Sequence, residues 1–316
     1  MFSLPNWWDS GRMEIIMVNR FLGYVEIRTK ITSIFAFLIT IAYLGYLKQP
    51  VRWGLTMLFF ASMFLFDLTT TAINNYIDTK NNHQELQFGR RTALIIIYVL
   101  FGSSTALGLS LAYATDIVIL LLGGLCFLCG VSYTYGPVPI SRQPLGEVMS
   151  GAFYGLLIPF ILFYINMPKG TFLTLIVNFK TISLDLQVMP FLSLLLFSVV
   201  PFCATANIML ANNICDLEKD IAVKRHTLPY YIGKKALYLF AGLYYAAYLA
   251  TAVMAALGIL SPICLLSLVT IIPVQRNINT FLRKQEKSTT FVAAIKNYVL
   301  IMGGNTLVIW ISALVA

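Results

Sequence analysis

Residues 188–220 read VMPFLSLLLFSVVPFCATANIMLANNICDLEKD, an uncharged apolar run that ends in Asn212, Asp216 and Asp220. A run of roughly 20 such residues is what a helix needs to cross about 30 Å of hydrocarbon. The three polar residues follow at i, i+4 and i+8, which sets them on one helical face with neighbours about 6 Å apart. Residues 72–78, AINNYID, repeat the arrangement at the end of another apolar run, with Asn74, Asp78 and Asn82 at the same spacing. Both copies contain Asn-Asn-x-x-Asp and both lead into a basic loop. The repetition reads as a duplicated helical half whose two ladders face one central cavity.

Working outward, the whole chain has the character of that segment. Of 316 residues 59% are hydrophobic and 11% charged, and the mean hydropathy is +0.80. This excludes an ordinary soluble domain and predicts an all-α polytopic membrane protein. Strands that cross a membrane alternate in polarity over about ten residues, and these runs do not. Nine spans are predicted, within Ile31–Leu47, Trp53–Ile73, Thr92–Ala114, Ile117–Thr134, Val148–Met167, Val188–Ala211, Ala236–Leu257, Ile259–Phe281 and Phe291–Val315. No Ser/Gly linker divides residues 1–316, which read as one transmembrane domain. Residues 1–30, with Trp7, Trp8, Arg12 and an apolar run near Ile15–Val18, read as an interfacial anchor without a small-residue cleavage site.

Charge orients the spans. Most of the 22 Lys and Arg fall in the N-terminal segment and after spans two, four, six and eight, whereas the opposite side holds Lys48, Arg52, Lys169 and Lys180. That asymmetry predicts a cytoplasmic N-terminus in the cell (inner) membrane, with both ladders opening to the cytoplasm. The net charge of +9 therefore follows topology, and an anionic small molecule at the inner face is a better partner than nucleic acid. Cys126, Cys129, Cys203, Cys215 and Cys264 lie mostly in apolar spans. The Cys126-x2-Cys129 pair lacks the two further soft ligands that zinc would need, so all five read as packing residues.

Carboxylates so close repel one another unless a cation neutralises them. Magnesium suits Asp78, Asp216 and Asp220, supported by Asn74 and Asn212, because it typically bridges one or two carboxylates to substrate phosphates. Arg90 and Arg91 follow the first ladder and Lys224 and Arg225 the second, so each has cationic neighbours that could clamp a diphosphate. The bland alternative is interfacial ion pairing, which would explain one ladder better than two with a shared spacing. Asp67 lies about two turns before Asn74 on the same face, deep enough to need a partner, and reads as a supporting acid or a buried hydrogen-bonded group. His83 and His226 each lie just beyond a ladder and also fit ordinary loop histidines.

These features together resemble the UbiA superfamily of intramembrane prenyltransferases, whose members carry two Asn/Asp-rich motifs on cytoplasmic helix ends. Asn212 to Asp220 matches the second motif fully, while the first has Asn82 where many members have Asp. Tyr133-Thr134-Tyr135-Gly136-Pro137-Val138-Pro139 and Leu145-Gly146-Glu147 resemble the 1,4-dihydroxy-2-naphthoate prenyltransferase branch. Glu26-Ile27-Arg28-Thr29-Lys30 resembles the segment that precedes the family's first span, with Thr29 where a proline is often found. Read from the residues alone, Pro137 and Pro139 stop span four, and Glu147 suits a helix N-terminus.

The resemblance implies magnesium-dependent transfer of a polyprenyl group from its diphosphate to 1,4-dihydroxy-2-naphthoate, with decarboxylation to a demethylmenaquinol. On it, Asn74, Asp78, Asn212, Asp216 and Asp220 hold the metal and Arg28, Lys30, Arg90, Arg91, Lys224 and Arg225 the diphosphate. Tyr133, Tyr135 and Glu147 face the aromatic acceptor. Another acceptor such as 4-hydroxybenzoate is the near alternative, and a cation-coupled transporter the distant one. Neither prenyl length nor oligomeric state is encoded by a recognisable motif.

Overall fold

The computed structural model describes residues 7–81, 85–137 and 139–315. Asn82, His83 and Val138 lie outside the described residues, and for Trp7, Trp8 and Arg12 only the backbone is described. Helix α1 (Trp7–Tyr24) is followed by a 3-10 turn (Ile27–Lys30), α2 (Ile31–Tyr46), α3 (Trp53–Asn81), α4 (Arg90–Ala114) and α5 (Ile117–Thr134). Span five comprises α6 (Gly146–Gly151), a π-helical stretch (Ala152–Leu157) and α7 (Ile158–Asn166). A hairpin of β1 (Leu173–Val177) and β2 (Ile182–Leu186) leads to α8 (Val188–Cys215), α9 (Leu217–Ala222), α10 (Leu228–Ile232) and α11 (Lys235–Ala256). A 3-10 segment (Pro262–Thr270), α12 (Ile271–Arg283) and α13 (Val292–Val315) close the chain.

Among the described residues eight helices are long and apolar enough to cross a membrane, one fewer than the nine expected. The difference is the segment expected at Ile259–Phe281, which is a 3-10 stretch joined to α12. Pro262 starts it without an amide donor, and Ser261 Oγ accepts from Ile263 N at 3.3 Å. At about 2.0 Å per 3-10 residue and 1.5 Å per α residue, the two pieces still reach roughly 37 Å. The hairpin was not anticipated from the sequence. It pairs Leu173 with Leu186, Leu175 with Leu184 and Val177 with Ile182, giving one apolar face with Phe179 fully exposed at the tip.

The bundle is tightest where span five crosses α8. A Cβ added to Gly155 would stand 2.2 Å from Phe202 N and 2.3 Å from its Cα, so the two backbones touch there. Pro159, near the start of α7, cannot donate to the preceding turn, and the wider π turn ahead of it absorbs that mismatch. The largest core cluster joins α2, α7, α8, α11, α12 and α13, with Tyr43 stacked on Phe197 at 4.7 Å between ring centres. By contrast α4 and α5 expose Tyr98, Leu109, Tyr113, Leu121 and Leu128, which suits surfaces bathed in lipid.

Candidate active site

The helical period places Asp67, Thr71, Asn74 and Asp78 on one face of α3, descending from one end of the bundle toward its middle. The second ladder does not stay on one unbroken helix. Helix α8 ends at Cys215, Asp216 sits at the junction, and α9 carries Asp220. Asp220 N still donates to Asp216 O at 2.8 Å, so the break is slight, but it separates the environments of the two acids. Asp220 is buried, whereas Asp216 is part-exposed and pairs with Lys287 Nζ at 2.5 Å. Lys287 Nζ also donates to Asn212 Oδ1.

One residue of each ladder, Asp78 from the first and Asp220 from the second, lines a polar cavity of about 380 Å³, whereas Asn74, Asn212 and Asp216 do not. Arg142, Lys224, Arg225 and Ser141 complete its wall. Arg225 ties the loops together: Nε donates to Ser141 O at 2.8 Å, and Nη1 stands 3.8 Å from Asp220 Oδ1. Lys224 has a φ of 56°, in the left-handed region that non-glycine residues seldom adopt. Burial raises the Asp220 carboxyl from its ordinary value, and Arg225 opposes that shift. Arg142 and Lys287 were missed by sequence reasoning. Each sits in a basic loop after an even-numbered span, and topology alone accounted for its charge.

Other expected cations go elsewhere. Lys30 is buried, and its Nζ lies 2.8 Å from Asp67 Oδ1, 3.0 Å from Asp67 O and 2.5 Å from Thr71 Oγ1. It is therefore not brought to the cavity; the acid that the sequence flagged as needing a partner holds it. Arg90 donates to Tyr76 O at 3.1 Å and lies over the Tyr76 ring, while Arg28 and Arg91 are exposed. None of the three lines the cavity.

The residues expected around the acceptor divide in the same way. Glu147 is buried and its Oε1 accepts from Asn213 Nδ2 at 2.9 Å, which joins the start of span five to the end of α8. Tyr133 OH lies 3.8 Å from Met209 Sδ, whereas Tyr135 caps α5 with its side chain exposed. Asn74 Oδ1 accepts from Thr134 Oγ1 at 3.1 Å. The second asparagines of the repeated pair act as anchors, Asn213 to Glu147 and Asn75 to Tyr24 O at 2.9 Å. His226 lies tilted against Tyr230, 4.4 Å between ring centres, and all five cysteines are free thiols.

Among the described residues no three His, Cys, Asp or Glu side chains close into a metal-binding cluster. The donors nevertheless fit a hard cation shared with a phosphate. They are oxygens only, Asp220 Oδ2 is buried without a partner, and the Asp216–Asn212 pair already holds a cation in the Lys287 ammonium. A metal that takes one or two carboxylates and keeps its other positions for water and phosphate needs no tighter cage.

Fold and site together define a polytopic helical membrane protein with paired Asn/Asp motifs at one end of its bundle. The chain belongs to the UbiA prenyltransferase family, whose sequence profile matches residues 34–301, and it is accordingly a prenyltransferase. It is 27% identical over 236 residues to the 1,4-dihydroxy-2-naphthoate octaprenyltransferase of Bacillus subtilis (strain 168), covering 71% of this chain and 69% of that protein. In fold it is similar to a UbiA homolog from Aeropyrum pernix K1, with a TM-score of 0.61 and 18% identity over 85% of this chain and 96% of that one. It is also similar to a UbiA homolog from Archaeoglobus fulgidus bound to DMAPP and Mg2+, with a TM-score of 0.58 and 13% identity over 92% of this chain and 99% of that one.

Proposed function

We propose that this prenyltransferase moves a polyprenyl group from polyprenyl diphosphate to 1,4-dihydroxy-2-naphthoate, with magnesium, at the cytoplasmic face of the cell membrane. The observation that carries the reading is the cavity where Asp78 and Asp220 face Arg142, Lys224 and Arg225. Acids and cations on one wall suit a metal–diphosphate. The naphthoate relative and the Tyr133 to Pro139 and Leu145 to Glu147 stretches favour this acceptor within the family.

Asp78, Asp216 and Asp220, supported by Asn74 and Asn212, would hold magnesium, which when bound offsets the negative charge of the diphosphate. Arg142, Lys224 and Arg225 bind the diphosphate oxygens and stabilise the charge that grows as the bond to the prenyl C1 breaks. The apolar helices exclude water from the allylic cation, and the tail lies among lipid-facing surfaces. Attack through the ring carbon that bears the carboxylate forms the new C–C bond. Carbon dioxide then leaves, and the electron pair of the broken bond restores the ring.

The test is purified protein in lipid with magnesium, geranylgeranyl diphosphate and either dihydroxynaphthoate or 4-hydroxybenzoate, read by diphosphate release and product mass. A decarboxylated prenyl naphthoquinol is expected; exclusive prenylation of 4-hydroxybenzoate would overturn the acceptor. Asp216→Ala should abolish turnover in protein that still inserts and folds.

A further inference from the structure

A buried polar cluster within the membrane-spanning helices is left without a role by this mechanism. Asp67 Oδ1 accepts from Lys30 Nζ at 2.8 Å and from Tyr154 OH at 2.9 Å, while its Oδ2 is buried with no partner. Lys30, by contrast, is fully engaged by Asp67 and Thr71. Stability does not explain such a cluster, because well-packed apolar residues commonly serve a buried pair's place as well or better. Acids within a membrane are read first as functional.

Position supplies the function. Seven residues separate Asn74 from Asp67 on α3, and seven separate Glu147 from Tyr154 on span five, so both polar tracks descend about 10 Å into the bundle. Asp67 and Tyr154 meet at the foot of these tracks, and Asp78, on the metal-side cavity, lies about 16 Å above Asp67 along α3. That interval suits a diphosphate, its first prenyl carbon and a bicyclic ring laid end to end. Tyr154 also stands in the π-helical stretch, a local widening that recurs at functional sites. Its hydroxyl proton is committed to Asp67 and Thr32 lies within hydrogen-bonding reach of the same hydroxyl, which leaves one oxygen lone pair to accept a further hydrogen bond, strengthened by the carboxylate behind it.

We propose that Tyr154 is the residue that accepts a hydrogen bond from a ring hydroxyl of the aromatic substrate, with Asp67 and Lys30 as its positioning residues. The inference rests on the prenyltransferase reading above and extends it to the distal end of the acceptor. Polarising the hydroxyl raises electron density in the ring that must attack the allylic cation. Lys30 keeps the Asp67 carboxylate neutral as a pair, so the device can sit in hydrocarbon.

The test separates acceptor from donor. Tyr154→Phe should raise the KM for the hydroxylated aromatic about tenfold, as loss of one hydrogen bond to a charge-coupled group predicts, with the KM for prenyl diphosphate unchanged. Lys30→Met should lower thermal stability by leaving Asp67 unpaired and should raise the acceptor KM, and Lys30→Met/Asp67→Leu should restore stability while the acceptor KM stays raised. An unchanged acceptor KM in Tyr154→Phe, or recovery of both stability and acceptor KM in the double variant, overturns the proposal and leaves the cluster structural. If the unaltered protein prenylates no hydroxylated aromatic, the reading beneath it fails and the inference with it. Activity of the unaltered protein with normal KM in the variants defeats the inference alone.

Discussion

Lys287 shows how one side chain reports on the chemistry of its neighbours. Its ammonium holds Asp216 and Asn212, the oxygen pair expected to face a metal, and its side chain remains 42% exposed. A tethered cation there competes with a free one. Lys287→Met should therefore raise the affinity for Mn2+ about two- to fivefold in the absence of diphosphate, the range expected for losing one part-exposed ion pair; electron paramagnetic resonance of the bound ion measures it. Unchanged affinity would mean that Asp216 is not a ligand in the resting protein. Asp220 gives a second prediction with a defined sign. Its folded-state carboxyl is raised by burial, so it takes up a proton, and ceases to be an anionic ligand, at a higher pH than an exposed aspartate does. Mn2+ affinity should fall with decreasing pH from a higher pH than an exposed aspartate would give, and Asp220→Asn should weaken binding and flatten that step. The acids themselves were legible because charge is scarce in this chain. Lys287 and Arg142 were not, since positive residues in these loops are what topology demands anyway.

At the scale of elements, packing is decided by a few small residues. Gly155 lets span five lie against the backbone of α8 at Phe202, beside Pro201 within α8. Gly155→Leu has no room to relax, because the obstructing atoms are backbone and not the end of a flexible side chain. It should destabilise the bundle by at least about 1–3 kcal/mol, seen as a lower midpoint in detergent unfolding. Activity should fall with it, since the crossing sets Glu147 against Asn213 and Tyr154 against Asp67. The long helices were legible because twenty apolar residues admit few other structures. The 3-10 segment before α12 was not, because its composition is as apolar as an α-helix and only Pro262 hints at the change. The β1–β2 hairpin shows its period of two at Leu173, Leu175 and Val177, but five-residue strands between two strong spans are easily read as a loop.

For the whole molecule the open quantity is orientation, and charge decides it. Arg142, Lys224, Arg225 and Lys287 gather at the ladder end of the bundle, while Lys169 and Lys180 lie beside the hairpin at the other. Each Lys or Arg near an anionic leaflet is worth about 1 kcal/mol, so turning the bundle over would exchange a strongly basic face for a weakly basic one at a cost of several kcal/mol. Orientation also has a chemical consequence, because a site that draws a soluble anionic aromatic must open to the compartment that makes it. In a background without the five native cysteines, Glu218→Cys beside the second ladder and Ser183→Cys in the hairpin are both exposed reporters. With an impermeant maleimide on intact cells, residue 183 should label at once and residue 218 only after the membrane is opened. The reverse pattern would place the cavity outside and remove the electrostatic basis for the proposed naphthoate supply, even if the chemistry at Asp78 and Asp220 stood.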